Sequence, residues 1–223
     1  MNYNSPCQQM NKDAKRLPKD QNVKLYIRHS IRYDNPVNGD YTKLLLTPEG
    51  IEAAKTIGKS IDKKIGFCGS SSVKRCNQTI QYILEAMPNK LKGNTQIETL
   101  KTLAVMKGNP NPKEMGGCGW YEYYHYLQER VPEKTGGVTL EEEVKPILDC
   151  IFSHGGMGNT LDIFCSHDSH VVMLASALFD FKTGIQEHDN WCKYTEGLFF
   201  YGTRERFTSL WRGEERQFDN YLL

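Results

Sequence analysis

Three short stretches of this 223-residue chain carry residue types suited to handling an anion: Arg28-His29 with Arg32 close behind, the Ser70–Arg75 segment, and His167-Asp168. Guanidinium groups stay charged when partly buried and match phosphate oxygens two at a time, so a pocket holding Arg28, Arg32 and Arg75 suits a dianion. Histidines add chemistry beyond binding. A neutral imidazole nitrogen can attack phosphorus and divide a hydrolysis into formation and breakdown of a phosphoryl-enzyme, while arginines stabilise charge building on the equatorial oxygens. A leaving alkoxide needs a proton, and Asp168 is the best-placed carboxyl to supply it.

These residues act together only if the fold gathers them, and the local patterns say how. Val23–Ile27 is a β-prone apolar run ending at Arg28. Thr47 is placed as an N-cap with Pro48 at the first helical position, and Ile51, Ala54, Ile57 and Ile61 then repeat at helical spacing. Ile65–Ser72 reads as a brief strand entering a turn, and a helix follows from about Val73. Thr139 and Glu142 make a capping-box pattern at the head of a further helix, with Pro146 in its early turns or kinking it. Leu161–Ser166 is an interior strand, and His167-Asp168 leads into the next helix.

Strand alternating with helix predicts a three-layer α/β/α domain with a mostly parallel central sheet. The apolar tail Gly197–Gly213, broken by a Gly-Thr-Arg turn, predicts a C-terminal hairpin at the sheet edge. In such sheets ligands bind beyond the C-terminal strand ends. Arg28-His29, Ser70–Arg75 and His167-Asp168 each follow a predicted strand, so topology alone converges them. Residues 1–22 read as a loose tail and 23–223 as the domain. Within it, 88–138 is less regular and reads as a loop-rich insertion on the substrate side.

The segments Tyr-Ile-Arg-His-Ser-Ile-Arg (26–32), Leu-Thr-Pro-Glu-Gly (46–50), Ser-Val-Lys-Arg-Cys-Asn-Gln-Thr (72–79) and Cys-Ser-His-Asp (165–168) together resemble the histidine phosphatase superfamily, more closely its acid phosphatase branch. The resemblance runs from about residue 23 to 175. It implies that His29 is the nucleophile that becomes phosphorylated. Arg28, Arg32 and Arg75 would hold the phosphoryl oxygens, His167 would be a fourth, partly electrostatic ligand, and Asp168 would protonate the leaving group and then assist water. It implies no metal and no cofactor. The His-Asp pair favours the acid phosphatase type over the branch that takes its acid from a glutamate elsewhere. Two positions depart from the pattern. Ser30 stands where the family has glycine after the histidine, and its hydroxyl is placed to reach the phosphate or His29; Asp34 stands where proline is usual.

Other features carry less. Formal net charge is +1, from 28 basic and 27 acidic residues, which gives no overall attraction to nucleic acid or an anionic membrane. No stretch reaches the about 18 apolar residues that span a bilayer, and the polar N-terminus lacks a signal-peptide core, so a cytoplasmic protein is expected, with export open if that terminus has been edited. Seven cysteines without a CxxC pair read as reduced and structural. His170, three residues after His167, has metal-ligand spacing, but the neighbouring arginines would repel a cation. His125, His154 and His188 read as surface, turn or substrate-side residues. The aromatic cluster Trp120, Tyr121, Tyr123, Tyr124 and Tyr126 reads first as packing of the insertion on the core, and otherwise as a lid or a stacking surface. The expected partner is a small phosphorylated substrate. A phosphomutase, a protein phosphohistidine phosphatase and a non-catalytic phosphate-binding protein are the competing readings of the same cluster.

Overall fold

Along Val23–Arg28 (β1), Val23, Leu25 and Ile27 turn to one face of the sheet and Tyr26 to the other, and all six residues are buried. That is the pattern of a strand covered on both sides. The computed structural model describes residues 8–34, 40–87, 95–104, 120–183 and 190–223. Thr160–Ser166 (β4) repeats the pattern, with Leu161, Ile163 and Cys165 opposite in sense to Phe164. It pairs in parallel with β1 from Val23↔Leu161 to Arg28↔Ser166. Lys64–Ser70 (β2) lies parallel on the far side of β4, and Ile97–Thr99 (β3) closes that edge.

On the other flank of β1, three antiparallel strands follow one another: Gly197–Gly202 (β5), Arg206–Trp211 (β6) and Glu214–Asp219 (β7). The order across the sheet is β3-β2-β4-β1-β5-β6-β7. The sheet is therefore mixed rather than mostly parallel, and the C-terminal region is a three-stranded meander rather than a hairpin. The extra strand arises at Arg212-Gly213, whose φ angles of 48° and 84° make a two-residue turn of the hand that suits twisted strands. The run Glu-Glu-Arg-Gln-Phe-Asp that follows has little apolar content because it forms the outer edge, where alternate side chains meet water.

One face is covered by Pro48–Ser60 (α2), Lys74–Glu85 (α3) and the short Gln9–Asp13 (α1). The other is covered by Trp120–Gln128 (α4), Leu140–Ser153 (α5) and Asp168–Phe179 (α6). Thr47 accepts from the Gly50 N–H at the head of α2, and Thr139 and Glu142 form the reciprocal capping box on α5, which continues through Pro146. Helix α6 is buried from His170 to Phe179, consistent with apolar residues all around it. Among the described residues no helix is long and apolar enough to cross a membrane.

Two expectations change. Residues 8–22 are not a loose tail: Met10, Ala14 and Leu17 are buried against the α2–α3 layer, while residues 1–7 lie outside the described residues. The 88–138 stretch is not wholly a loop-rich insertion either. Its described parts supply β3 to the sheet, and Tyr123, Tyr124 and Leu127 of α4 to the core; residues 88–94 and 105–119 lie outside the described residues.

At the N-terminal ends of β1 and β4, the paired positions Lys24 and Asp162 form a buried ion pair of 3.0 Å. Lys24 Nζ also donates to the His154 carbonyl, and Asp162 Oδ2 also accepts from Asn22 Nδ2 and the Gly156 N–H. Removing one member of a buried pair strands the other's charge. Lys24→Met is therefore expected to lower unfolding free energy by about 3–5 kcal/mol in urea titration; a change below about 1 kcal/mol would mean that this end of the sheet does not depend on the pair.

Candidate active site

The hydrogen-bond ladder continues past the strand ends and fixes where the predicted residues emerge. The His29 N–H donates to the Ser166 carbonyl at 3.0 Å, the Ser71 N–H to the Cys165 carbonyl at 3.0 Å, and the Arg28 N–H to the Glu196 carbonyl at 2.8 Å. Arg75 stands in the first turn of α3, His167 is the N-cap of α6, and Asp168 begins that helix. Five of the expected site residues thus meet at one end of the sheet.

Arg75 and His29 make the central contact. Arg75 Nε donates to His29 Nε2 at 2.9 Å, and both side chains are buried. The Nε2 atom is therefore the unprotonated nitrogen, and Nδ1 carries the proton, which it donates to the Ser30 carbonyl at 2.8 Å. Burial disfavours a charged imidazole, and Arg75, Arg28 and His167 oppose it further, so the His29 pKa lies well below its ordinary 6.5. The fold supplies a neutral histidine with its lone pair facing a cation.

His167 shares that cation, with its Nδ1 3.4 Å from Arg75 Nη2, and its Nε2 lies 3.0 Å from the Ser71 hydroxyl. Arg28 approaches from the other side. Its Nη1 donates to the Cys192 carbonyl at 2.5 Å, its Nη2 lies 3.2 Å from Asp168 Oδ2, and its guanidinium sits 4.0 Å above the Tyr194 ring. Asp168 Oδ2 also accepts from Trp191 Nε1 at 3.1 Å. Burial works against ionising Asp168, but Arg28 above all, with the Trp191 hydrogen bond, outweighs it, holding the carboxyl well below its usual range.

Cys76 responds to the same field. Its burial would raise the thiol pKa, yet hydrogen bonding with Cys165 and the neighbouring His167 and Arg75 bring it down to about 5. Asp168 and Cys76 thus both shift against their burial, in the direction that the neighbouring Arg28 and Arg75 impose. Such a pocket is disposed to receive an anion.

Two expected phosphate ligands are placed elsewhere. Arg32 donates Nη1 to the Tyr33 carbonyl at 2.8 Å and, among the described residues, bonds to none of His29, Arg75, His167 or Asp168. Ser30 is fully buried, with its hydroxyl donating to the Gly50 carbonyl at 2.6 Å and its N–H to Thr79 Oγ1 at 3.0 Å. Its role here is to tie the loop after β1 to the head of α2 and the middle of α3. Gly50 permits the approach, since a Cβ there would fall 2.0 Å from the Ile31 carbonyl oxygen. His170 turns into the core, its Nδ1 at 2.9 Å from both the Tyr26 and Ser166 hydroxyl oxygens. His154 ends α5, and His188 lies outside the described residues. Among the described residues no group of three or more His, Cys, Asp and Glu side chains is arranged to hold a metal ion.

A comparison with protein-family models finds no match, and neither does one with curated proteins. Solved structures do match. A mycobacterial hydrolase superposes with a TM-score of 0.54 at 10% identity, over 91% of this chain and 95% of its own. Phosphoglycerate mutase from Bacillus anthracis strain Sterne gives 0.53 at 15% identity, over 90% and 94%. A variant of phosphoserine phosphatase from Entamoeba histolytica, in complex with phosphoserine, gives 0.50 at 13% identity, over 90% and 98%. The chain shares their fold.

The residues that sequence reasoning missed lie on the stretch from Asn190 to Glu196. Trp191, the Cys192 carbonyl and Tyr194 all touch Arg28 or Asp168. No motif marks them. Their placement follows from β5 running antiparallel to β1, which brings the start of β5 to the C-terminal tip of β1; a hairpin assigned to the sheet edge concealed it. Ser71 and Thr79 fall within the segments read as functional, although neither had a stated role.

The His29 environment has a consequence for stability. The folded chain takes up the His29 proton at lower pH than the unfolded chain does, so below pH 6.5 the unfolded state binds more protons. Buried His170, brought down to about 3, acts in the same sense. Stability is therefore expected to fall as pH drops from 7 to 5, each shifted histidine adding about 1.4 kcal/mol per pH unit within its window. In urea titrations at the two pH values, His29→Gln should show a smaller drop than the native chain; an equal drop would show that His29 is not held neutral.

Proposed function

We propose that this chain is a phosphomonoester hydrolase that works through a phosphohistidine on His29. The observation that carries the reading is the hydrogen-bond pattern of that imidazole. Its Nδ1–H is held by the Ser30 carbonyl, leaving the Nε2 lone pair directed at the guanidinium that would bind the phosphoryl group. When the phosphate dianion enters, Arg75 exchanges its imidazole contact for phosphate oxygens, and Arg28 and His167 supply further positive partners. Nε2 then bonds to phosphorus as the ester P–O bond breaks. The Ser30 carbonyl stabilises the positive charge that develops on the ring.

Asp168 is the proton donor in this reading. In the free site its carboxyl is kept ionised by Arg28 and Trp191. A bound dianion offsets the charge of Arg28 and so favours protonation of the carboxyl beside it. The departing alkoxide takes that proton. In the second step water attacks phosphorus, gives a proton to the Asp168 carboxylate, and releases phosphate as the P–N bond breaks. Small organic phosphates are the expected substrates, and the acid phosphatase type is the subtype that His167-Asp168 favours. In this reading Arg32 joins Arg28, Arg75 and His167 on the phosphate by exchanging its contact with the Tyr33 carbonyl for a phosphate oxygen.

The fold also supports mutases, and phosphoglycerate mutase is among the proteins of similar structure. Transfer to an added alcohol rather than to water, measured by product analysis, separates that reading from hydrolysis. For the hydrolase, phosphate release from an activated aryl phosphate and from an alkyl phosphate gives the decisive comparison. His29→Ala is expected to lower kcat/KM at least about 10⁴-fold on both substrates, and a rapid alkaline quench, which preserves the P–N bond, should trap phosphoprotein from the native chain and none from the variant. Asp168→Asn should cost about 100-fold on the alkyl ester, where the leaving group needs a proton, and about tenfold or less on the aryl ester. Full activity in His29→Ala, or equal losses from Asp168→Asn on both esters, would refute the assigned roles.

A further inference from the structure

We infer that Arg212, in the turn between β6 and β7, is a positioning residue that holds the catalytic Arg28 and Asp168 in place through the loop 190–196. This inference rests on the function proposed above. Three groups of the loop contact the side chains of Arg28 and Asp168: Trp191 Nε1 on Asp168, the Cys192 carbonyl on Arg28, and the Tyr194 ring beneath the Arg28 guanidinium. Asn190 and Thr195 near the loop's two ends both adopt left-handed φ angles, 57° and 56°, which non-glycine residues hold only when their surroundings enforce it.

Arg212 supplies that enforcement at both ends. Its Nε donates to Glu196 Oε1 at 2.6 Å, and its Nη1 donates to Asn190 Oδ1 at 3.1 Å. Glu196 is buried, and its other carboxylate oxygen accepts from the Lys193 N–H at 2.6 Å, which closes the loop on itself. The guanidinium plane rests against Phe181 and Trp211, with its carbon 4.8 Å and 4.4 Å from the ring centres, so its direction is fixed. Arg212 is anchored in turn. The Gly213 N–H donates to Asp13 Oδ2 at 3.2 Å, and Arg16 Nη1 donates to the Gly213 carbonyl at 2.5 Å. A continuous path of hydrogen bonds thus runs from α1, through the β6–β7 turn and Glu196, to the catalytic pair. None of its outer members touches the pocket occupied by Arg75 and His29.

The test compares the native chain with Arg212→Ala, Arg212→Lys and Arg206→Ala. Arg206 makes an exposed ion pair with Asp219 in the same hairpin and serves as the control. Each protein is measured for kcat and KM on an activated aryl phosphate and on an alkyl phosphate, and for affinity toward inorganic phosphate. All assays run at a temperature where circular dichroism shows the variant folded.

A displacement of the reacting groups by about 1 Å costs on the order of 100-fold in rate. Arg212→Ala is therefore expected to lose about 100-fold in kcat/KM on the alkyl ester and about tenfold on the aryl ester. Phosphate binding should weaken through Arg28. Arg212→Lys should recover only part of the loss, because one ammonium cannot present the same fork to Asn190 and Glu196. Arg206→Ala should match the native chain. If Arg212→Ala does not fold, a loss in Arg212→Lys that is greater on the alkyl ester supports the same positioning role.

The inference is overturned if both Arg212 variants match the native chain, or if their losses are equal on the two esters and follow the folded fraction. A native chain that neither binds phosphate nor shows His29-dependent turnover would overturn the proposed function itself, and this inference with it.

Discussion

The hydrogen bond from Arg75 to His29 sets the terms for the rest of the structure. A guanidinium directed at a ring nitrogen requires that nitrogen to be unprotonated, and this requires the proton to sit on the other nitrogen with its own acceptor. The Ser30 carbonyl is that acceptor, so the loop after β1 must be held to a fraction of an ångström. Ser30 and Thr79 hold it from two sides, and Gly50 lets the head of α2 approach without a clash. The neutral histidine is thus a property of β1 and two helices, α2 and α3, not of one side chain.

A second constraint follows from the charge left in the pocket. Arg28 and Arg75 set a positive potential in the pocket, which acts with burial to lower the proton affinity of His29 and against burial to lower those of Asp168 and Cys76. An arrangement of this kind costs stability in the empty protein and returns it when an anion binds. The opposite end of the sheet shows the contrasting solution. There Lys24 and Asp162 are buried as a matched pair, bound by backbone groups on either side, and serve register rather than chemistry.

Much of this was legible in the residues themselves. Thr47-Pro48, the Thr139–Glu142 pair and the apolar, β-prone run Val23–Ile27 specify their elements through local physics, and the structure agrees with each. Arg28, His29, Arg75, His167 and Asp168 follow strands and so had to converge. The failures share one cause, which is dependence on distant neighbours. The polar strand β7 has no period of its own to reveal it, α1 is short and acquires its place from the core beneath it, and Ser30 faces inward because Gly50 is there to receive it. The wall formed by Trp191 and Tyr194 required knowing which strand lies beside β1.

The placement of α1 against the β6–β7 turn has a consequence for how the chain comes into being. Asp13 and Arg16 find their partners at Gly213 and Glu215, about two hundred positions later in the sequence. β1 likewise waits for β4 and β5, whose residues lie more than a hundred positions later. Contacts so distant in sequence form late, after the entropy of closing very long loops has been met. A chain in which β1 has formed but β4 and β5 have not docked therefore holds no partly built pocket, and its apolar first strand stays open to aggregation until they do.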